Sequence, residues 1–343
     1  MKRNMLNWIK ETIDEKRKLP MPVLSFPAIQ LMDITVKDLI SSSDVQARGM
    51  VEIAKRVKAS GSVSLMDLSL EAECFGSEIV VSDDEVPTVK GSIVATQEDA
   101  DALKIPKVGD CRTGIYVDAV RKAALEITDR PVFGGVIGPF SLAGRLMDVT
   151  EAMIYCYTDP DMVHTVLEKC TEFLIEYMLA YKEAGANGIM MAEPLAGLLS
   201  PELAEQFSCK YVKRIIDAIE DENFIVVYHN CGNNTIQMID EILATGARVL
   251  HFGNAIDMAE MMQHIPADII AMGNVSPADE FRNGTPESTR KATLELMEQC
   301  TGYPNFVPSS GCDIPPVSPW ENIDAFFAAV DEYYNRESVE EAV

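Results

Sequence analysis

Long apolar runs are missing from this chain. No stretch of about 18 apolar residues occurs, so no segment reads as a membrane span. Basic residues are scarce too, 29 Lys and Arg against 54 Asp and Glu, leaving a net charge of -25. A surface this acidic repels phosphate backbones, and nucleic acid is not an expected partner. The opening residues, MKRNMLNWIKETIDEKRK, lack the apolar region of an export signal and read as a charged amphipathic helix. Histidine is limited to four residues and cysteine to eight, the latter too dispersed for the disulfide framework of a small secreted domain. The expected setting is reducing and cytoplasmic, where neighbouring Cys and His more often mean metal or catalysis than staples.

What is present is a core and a rhythm. The 343 residues are 47% hydrophobic, enough for a sizeable interior. Eight runs read as strands: 21–26, 62–70, 131–138, 187–193, 224–231, 248–253, 268–274 and 305–310. Most are continuously apolar, as parallel strands covered on both faces are. Helices between them carry start signals, a capping side chain followed by proline, at Asp159-Pro160, Ser200-Pro201, Ser276-Pro277, Thr285-Pro286 and Ser318-Pro319. Ser318 to Glu321 also has capping-box spacing. Eight strands with intervening helices predict an α/β chain folded as one (β/α)8 TIM barrel over residues 1–343, preceded by an N-terminal helix. A doubly wound open sheet is the runner-up. Residues 71–118, rich in turns and poor in helical period, read as a loop elaboration after the second strand with a hairpin of its own. The final ESVEEAV reads as a frayed tail.

In a parallel barrel the chemistry belongs at the carboxyl ends of the strands. Those ends carry Asp67, Glu193, Asn274, the pair His229-x-Cys231 and, in PSSGCDIPP, Cys312. Residues two apart on a strand share a face, so His229 and Cys231 converge on one space. Cys312, with 80 residues between it and Cys231, supplies a third ligand. One nitrogen and two sulfurs with a fourth position open is a catalytic zinc arrangement, although buried cysteines often act only as small hydrophobes. That plainer role fits Cys156, Cys170, Cys209 and Cys300 on helices; Cys74 and Cys111, in the loop, stay undecided. His164 reads as structural, His251 as a core histidine with a partner of the site's ligands as the alternative, and His264 as a surface residue. Glu193 ends an apolar strand, where an unpaired carboxylate is costly. It is expected in the site, as a fourth ligand or a partner of one, with a structural ion pair as the alternative. Asp67 raises the same question.

The segments GGVIGPFSLAGRL (134–146), EAGANGIMMAEPLAGLLSP (183–201), YHNCGNN, MGNVSP and SSGCDIPP together resemble the uroporphyrinogen decarboxylase superfamily, from about residue 20 to 335. Within it the chain looks most like the methylcobamide:coenzyme M methyltransferases, whose zinc motif is His-x-Cys with a distant Cys. His229, Cys231 and Cys312 match that motif, and the resemblance implies zinc and a (β/α)8 barrel. It departs from the decarboxylases at LSFPAIQLMD, where those enzymes keep arginines for substrate carboxylates, and at Ser310-Gly-Cys312, where they have a Gly-His-Gly turn. Asp67 falls where they keep a pyrrole-binding aspartate. The resemblance implies methyl transfer between a corrinoid and a thiol such as coenzyme M. The corrinoid would come on a partner protein docking at the barrel mouth, since no Asp-x-His-x-x-Gly motif is present. Glu193 and Asp67 are the candidate catalytic carboxylates, Asn274 and Arg145 the candidate cofactor or anion contacts. Competing expectations are a cofactor-free tetrapyrrole lyase, transfer in the demethylating direction, and a non-catalytic metal or corrinoid carrier.

Overall fold

The computed structural model describes residues 3–340. Parallel strands form the wall of a barrel in the order β1 (Ser62–Val63), β4 (Val132–Ile137), β5 (Gly188–Ala192), β6 (Ile225–Asn230), β7 (Val249–Phe252), β8 (Ile270–Val275) and β9 (Phe306–Ser310). The antiparallel hairpin of β2 (Glu78–Val80) and β3 (Thr88–Lys90) stands apart from that wall, in the expected elaboration. The eighth stave is the extended segment 20–24. Met21 donates its N–H to Pro308 O of β9 at 3.0 Å, and Ser60, just before β1, donates to Pro20 O at 3.0 Å. The ring therefore closes without a regular strand at 21–26. Pro20, Pro22 and Pro27 have no N–H to give, so this stretch cannot complete a ladder.

The expected strand 62–70 is also shorter than its apolar run. At Asp67 the side chain accepts from Ser69 N–H at 3.1 Å and Ser69 Oγ at 2.6 Å, an Asx-type turn that ends the extended course. The helix Leu70–Phe75 follows at once, so the elaboration begins after it; at the other end it yields to the helix Thr113–Glu126. Four of the five cap-plus-proline signals start helices: Asp159, Ser200, Ser276 and Thr285 each accept a backbone N–H three residues on. Ser318 is the exception. The last helix, Trp320–Glu340, starts one residue late for it, and its buried Oγ has no partner. That helix continues through 340 of the expected tail; 341–343 lie outside the described residues. No helix among the described residues is long and apolar enough to cross a membrane.

Two apolar cores follow from strand parity. One lies inside the barrel and includes Met21, Val63, Phe133, Met190, Ala192, Val227, Val249, Met272 and Val307. The other fills the layer between strands and helices, with Val136, Ile189, Met191, Val226 and Tyr228. Alternation along each strand decides which layer a residue enters. The same alternation decides where the polar residues at the strand ends point.

Candidate metal centre at the barrel mouth

Val227, Val249 and Val307 face the barrel interior, and two residues further along β6, β7 and β9 stand His229, His251 and Ser309. The apolar interior is thus capped by a polar layer. His229 and His251 are register partners on adjacent strands, and their Nδ1 atoms lie 2.7 Å apart. His251 Nε2 lies 2.8 Å from Ser309 Oγ, which in turn donates to Met21 O at 2.7 Å.

This chain of contacts determines the tautomers. Ser309 uses its only proton on Met21 O, so it accepts from His251 Nε2–H. Burial, then the neighbouring His229, hold the His251 pKa well below its usual value, so His251 is neutral and its Nδ1 accepts. His229 Nδ1–H must then be the donor. A neutral His229 carries its lone pair on Nε2, which is buried and has no protein partner. An orphaned buried nitrogen aimed at thiols is what a metal ligand requires. Cys231, two residues on, and Cys312, just past β9, meet it there; one ligand atom from each residue lies within 4.8 Å of the others. Both thiols are half-buried. The hydrogen bond they share lowers the Cys231 pKa and raises that of Cys312 to about 12, so the pair's first negative charge falls on Cys231. Gly253 leaves room for this cluster, because a Cβ there would meet Cys231 Cβ at 2.3 Å. The donor set, one imidazole nitrogen and two sulfurs, fits zinc.

The other residues expected in the site are not part of this three-residue cluster. Glu193 continues the outward parity of Ile189 and Met191 and faces the helices. Its Oε1 accepts Ser141 N–H at 2.6 Å at the start of helix Pro139–Met147, and its Oε2 has no partner. Burial raises its pKa to about 8, against the pull of the Ser141 N–H. It therefore does not join the metal cluster. Asp67 is buried in an ion pair: Oδ2 accepts from Arg112 at 2.5 Å and Tyr116 OH at 2.7 Å. Arg112 also donates to Glu73 at 2.7 Å. Asn274 spends its amide N–H groups on Gly253 O at 2.9 Å and Ile256 O at 2.7 Å, pinning the loop after β7. Arg145, half-buried, has a buried Nε with no partner; burial lowers its pKa while Glu71 and Asp67 oppose the shift.

Sequence reasoning passed over several of these groups. His251, which the strand end allows as a core histidine or as a supporting partner of the site, is the hydrogen-bond partner of the His229 imidazole; its place at a strand end, like that of His229, is the available signal. Glu71, buried and pushed up to about 8 by desolvation, accepts from Ile137 N–H at 3.1 Å. Glu71 and Arg112 carried no strand-end signal, because both come from the elaboration and its flanking helix. His164, stacked on Phe207 at 4.6 Å and bonded to Tyr211 OH, is structural as expected.

A closed barrel that gathers its reactive side chains at the carboxyl ends of its strands is an enzyme architecture. The uroporphyrinogen decarboxylase (URO-D) family model matches residues 23–333; the chain belongs to that family and is an enzyme. Among curated relatives, the methylcobamide:CoM methyltransferase MtbA of Methanosarcina mazei is 30% identical over 274 residues, 78% of each chain. MtbA of Methanosarcina acetivorans is 28% identical over the same share. Uroporphyrinogen decarboxylase of Coxiella burnetii is 24% identical over 81% of this chain and 79% of its own. A solved methyltransferase from Methanosarcina mazei shares the fold, with a TM-score of 0.84 at 23% identity over 97% of this chain and 98% of that one.

Proposed function

We propose that this enzyme transfers a methyl group from a methylated corrinoid to a small thiol, with zinc held by His229, Cys231 and Cys312. The observation that carries the reading is the orphaned Nε2 of His229 beside two half-buried thiols. When bound, zinc would supply the Lewis acidity that deprotonates a substrate thiol at neutral pH. The chain's own part is to present a neutral imidazole nitrogen and two cysteine sulfurs, the donors that would hold the metal. His251 and Ser309 keep the imidazole lone pair facing the thiols. Arg145, whose buried Nε has no hydrogen-bond partner, meets an anionic group on the substrate, as the sulfonate of coenzyme M would offer. In the reaction the substrate sulfur bonds to the methyl carbon, the cobalt–carbon bond breaks, and both its electrons stay on cobalt(I).

The corrinoid arrives on a partner protein that docks over the strand ends, and the enzyme works in the cytoplasm, where thiols stay reduced. The named activity of the methanosarcinal relatives supports this reading. The test is metal analysis of the purified protein followed by anoxic incubation with methylcobalamin and a panel of thiols. About one zinc per chain and thiol-dependent formation of cob(I)alamin are expected. Uroporphyrinogen decarboxylation by metal-free protein would overturn the assignment.

A further inference from the structure

Cys74 and Cys111 take no part in the centre described above. Cys74 lies at the end of helix Leu70–Phe75, and Cys111 in the turn before helix Thr113–Glu126. Their thiols reach across to each other's backbone. Cys74 Sγ donates to the carbonyl of Asp110, the residue before Cys111, at 3.3 Å. Cys111 Sγ donates to the carbonyl of Glu73, the residue before Cys74, at 3.8 Å. This reciprocal pattern brings the two cysteines together, each thiol against the residue before the other. Cys111 has a φ of 47°, the left-handed region where glycine or asparagine costs less, so the fold holds a thiol at a position that turn chemistry alone would give to another residue. Cys111 is exposed and Cys74 is sheltered. Burial, then the adjacent Cys111, raise the Cys74 pKa, and the exposed Cys111 is the thiol that a dissolved reagent meets first.

We propose that Cys74 and Cys111 form a reversible disulfide, with a low-molecular-weight disulfide as the oxidant. Cys111 thiolate attacks one sulfur of that reagent, forming a mixed disulfide and releasing one thiol. Cys74, giving up its proton, attacks Cys111 Sγ, which forms the protein bridge and releases the second thiol. Two protein thiols and one small disulfide become one protein disulfide and two small thiols. The bridge closes the whole elaboration, hairpin included, and ties down the residue next to Arg112. It thereby fastens Arg112 to the helix that carries its partner Glu73, and holds it on Asp67.

The experiment uses the full chain supplied with zinc, equilibrated in glutathione buffers from fully reduced to fully oxidised, then acid-quenched, alkylated and mapped by mass spectrometry. Thiols counted in denaturant should fall from eight to six at the oxidised end, with one 74–111 linked peptide, unchanged bound zinc and full reversal by dithiothreitol. The variant C111S should show no linked peptide at any ratio and, in fully reduced buffer, the melting profile of the reduced wild type. The proposal fails if no 74–111 link forms at any ratio, or if Cys111 stops at the mixed disulfide. It also fails if Cys231 and Cys312 pair instead while zinc is released.

Discussion

On the β6, β7 and β9 side of the mouth, the polar groups are imidazoles, thiols and a hydroxyl seated at strand ends or just past them, linked by hydrogen bonds between neighbouring strands. On the β1 and β4 side they are carboxylates and guanidiniums, Asp67, Glu71, Glu73, Arg112 and Arg145, set on helices and turns around an insertion. The first side is a set of soft donors on the most rigid part of the fold. The second is a charged frame whose parts come from segments that insertion or redox chemistry could move. A metal needs ligands fixed to within tenths of an ångström, and the strands provide that. Substrate recognition tolerates, and uses, a more adjustable surface.

The sharpest way to break this comparison is to cut one residue from each side. Cys312→Ala should abolish most metal binding and lower turnover by more than about a hundredfold, beyond what loss of a ligand's hydrogen-bond partner costs. Asp67→Asn should keep its zinc and raise the KM for the thiol instead. Equal zinc loss in both variants, measured by metal analysis, would erase the distinction. Next in size is His251→Phe, which keeps the volume but removes the acceptor for His229 Nδ1–H. Zinc affinity in chelator competition should fall about 10–100-fold, while Arg112→Met leaves it unchanged.

The smallest effect sharpens the boundary of the site. Glu193 stays protonated in the folded chain up to about pH 8, against an ordinary value of 4.5. Ionisation therefore favours the unfolded chain, and the stability that Glu193 gives at low pH is lost as pH rises through about 8. Glu193→Gln should flatten that decline by on the order of a few kcal/mol in denaturant titrations between about pH 5 and 8, with zinc content and KM near wild type. A large loss of zinc would return Glu193 to the metal centre.

Much of this was legible in the residues themselves. Six of the eight strands and the convergence of His229 and Cys231 could be read from apolar runs and two-residue spacing, because both depend only on local periodicity; Cys312, far along the chain, follows from its place at a strand end and from the resemblance. The stave at 20–24 was misjudged because prolines deny it a ladder, and 62–70 because Asp67 bends the chain through its own side chain. Glu193 shows the limit of a strand-end argument. A shift of one residue changes the face, and only the register with β6 tells which of Ala192 and Glu193 looks inward. The Arg112–Asp67 pair joins residues 45 apart, and no spacing rule anticipates it.

The last acceptor in the hydrogen-bonded chain behind His229 is the carbonyl of Met21, in the stave that closes the ring. Met21 emerges first during synthesis, whereas Ser309 and Cys312 are among the last residues of the barrel to appear. Domains assemble as their chain is made, so until residues 306–312 are out the barrel lacks a seam, the imidazole lacks its anchor and the metal lacks a ligand. Ring closure and metal readiness are then a single late event. A nascent chain halted before that point would carry most of a barrel but an incomplete set of the ligands proposed for zinc.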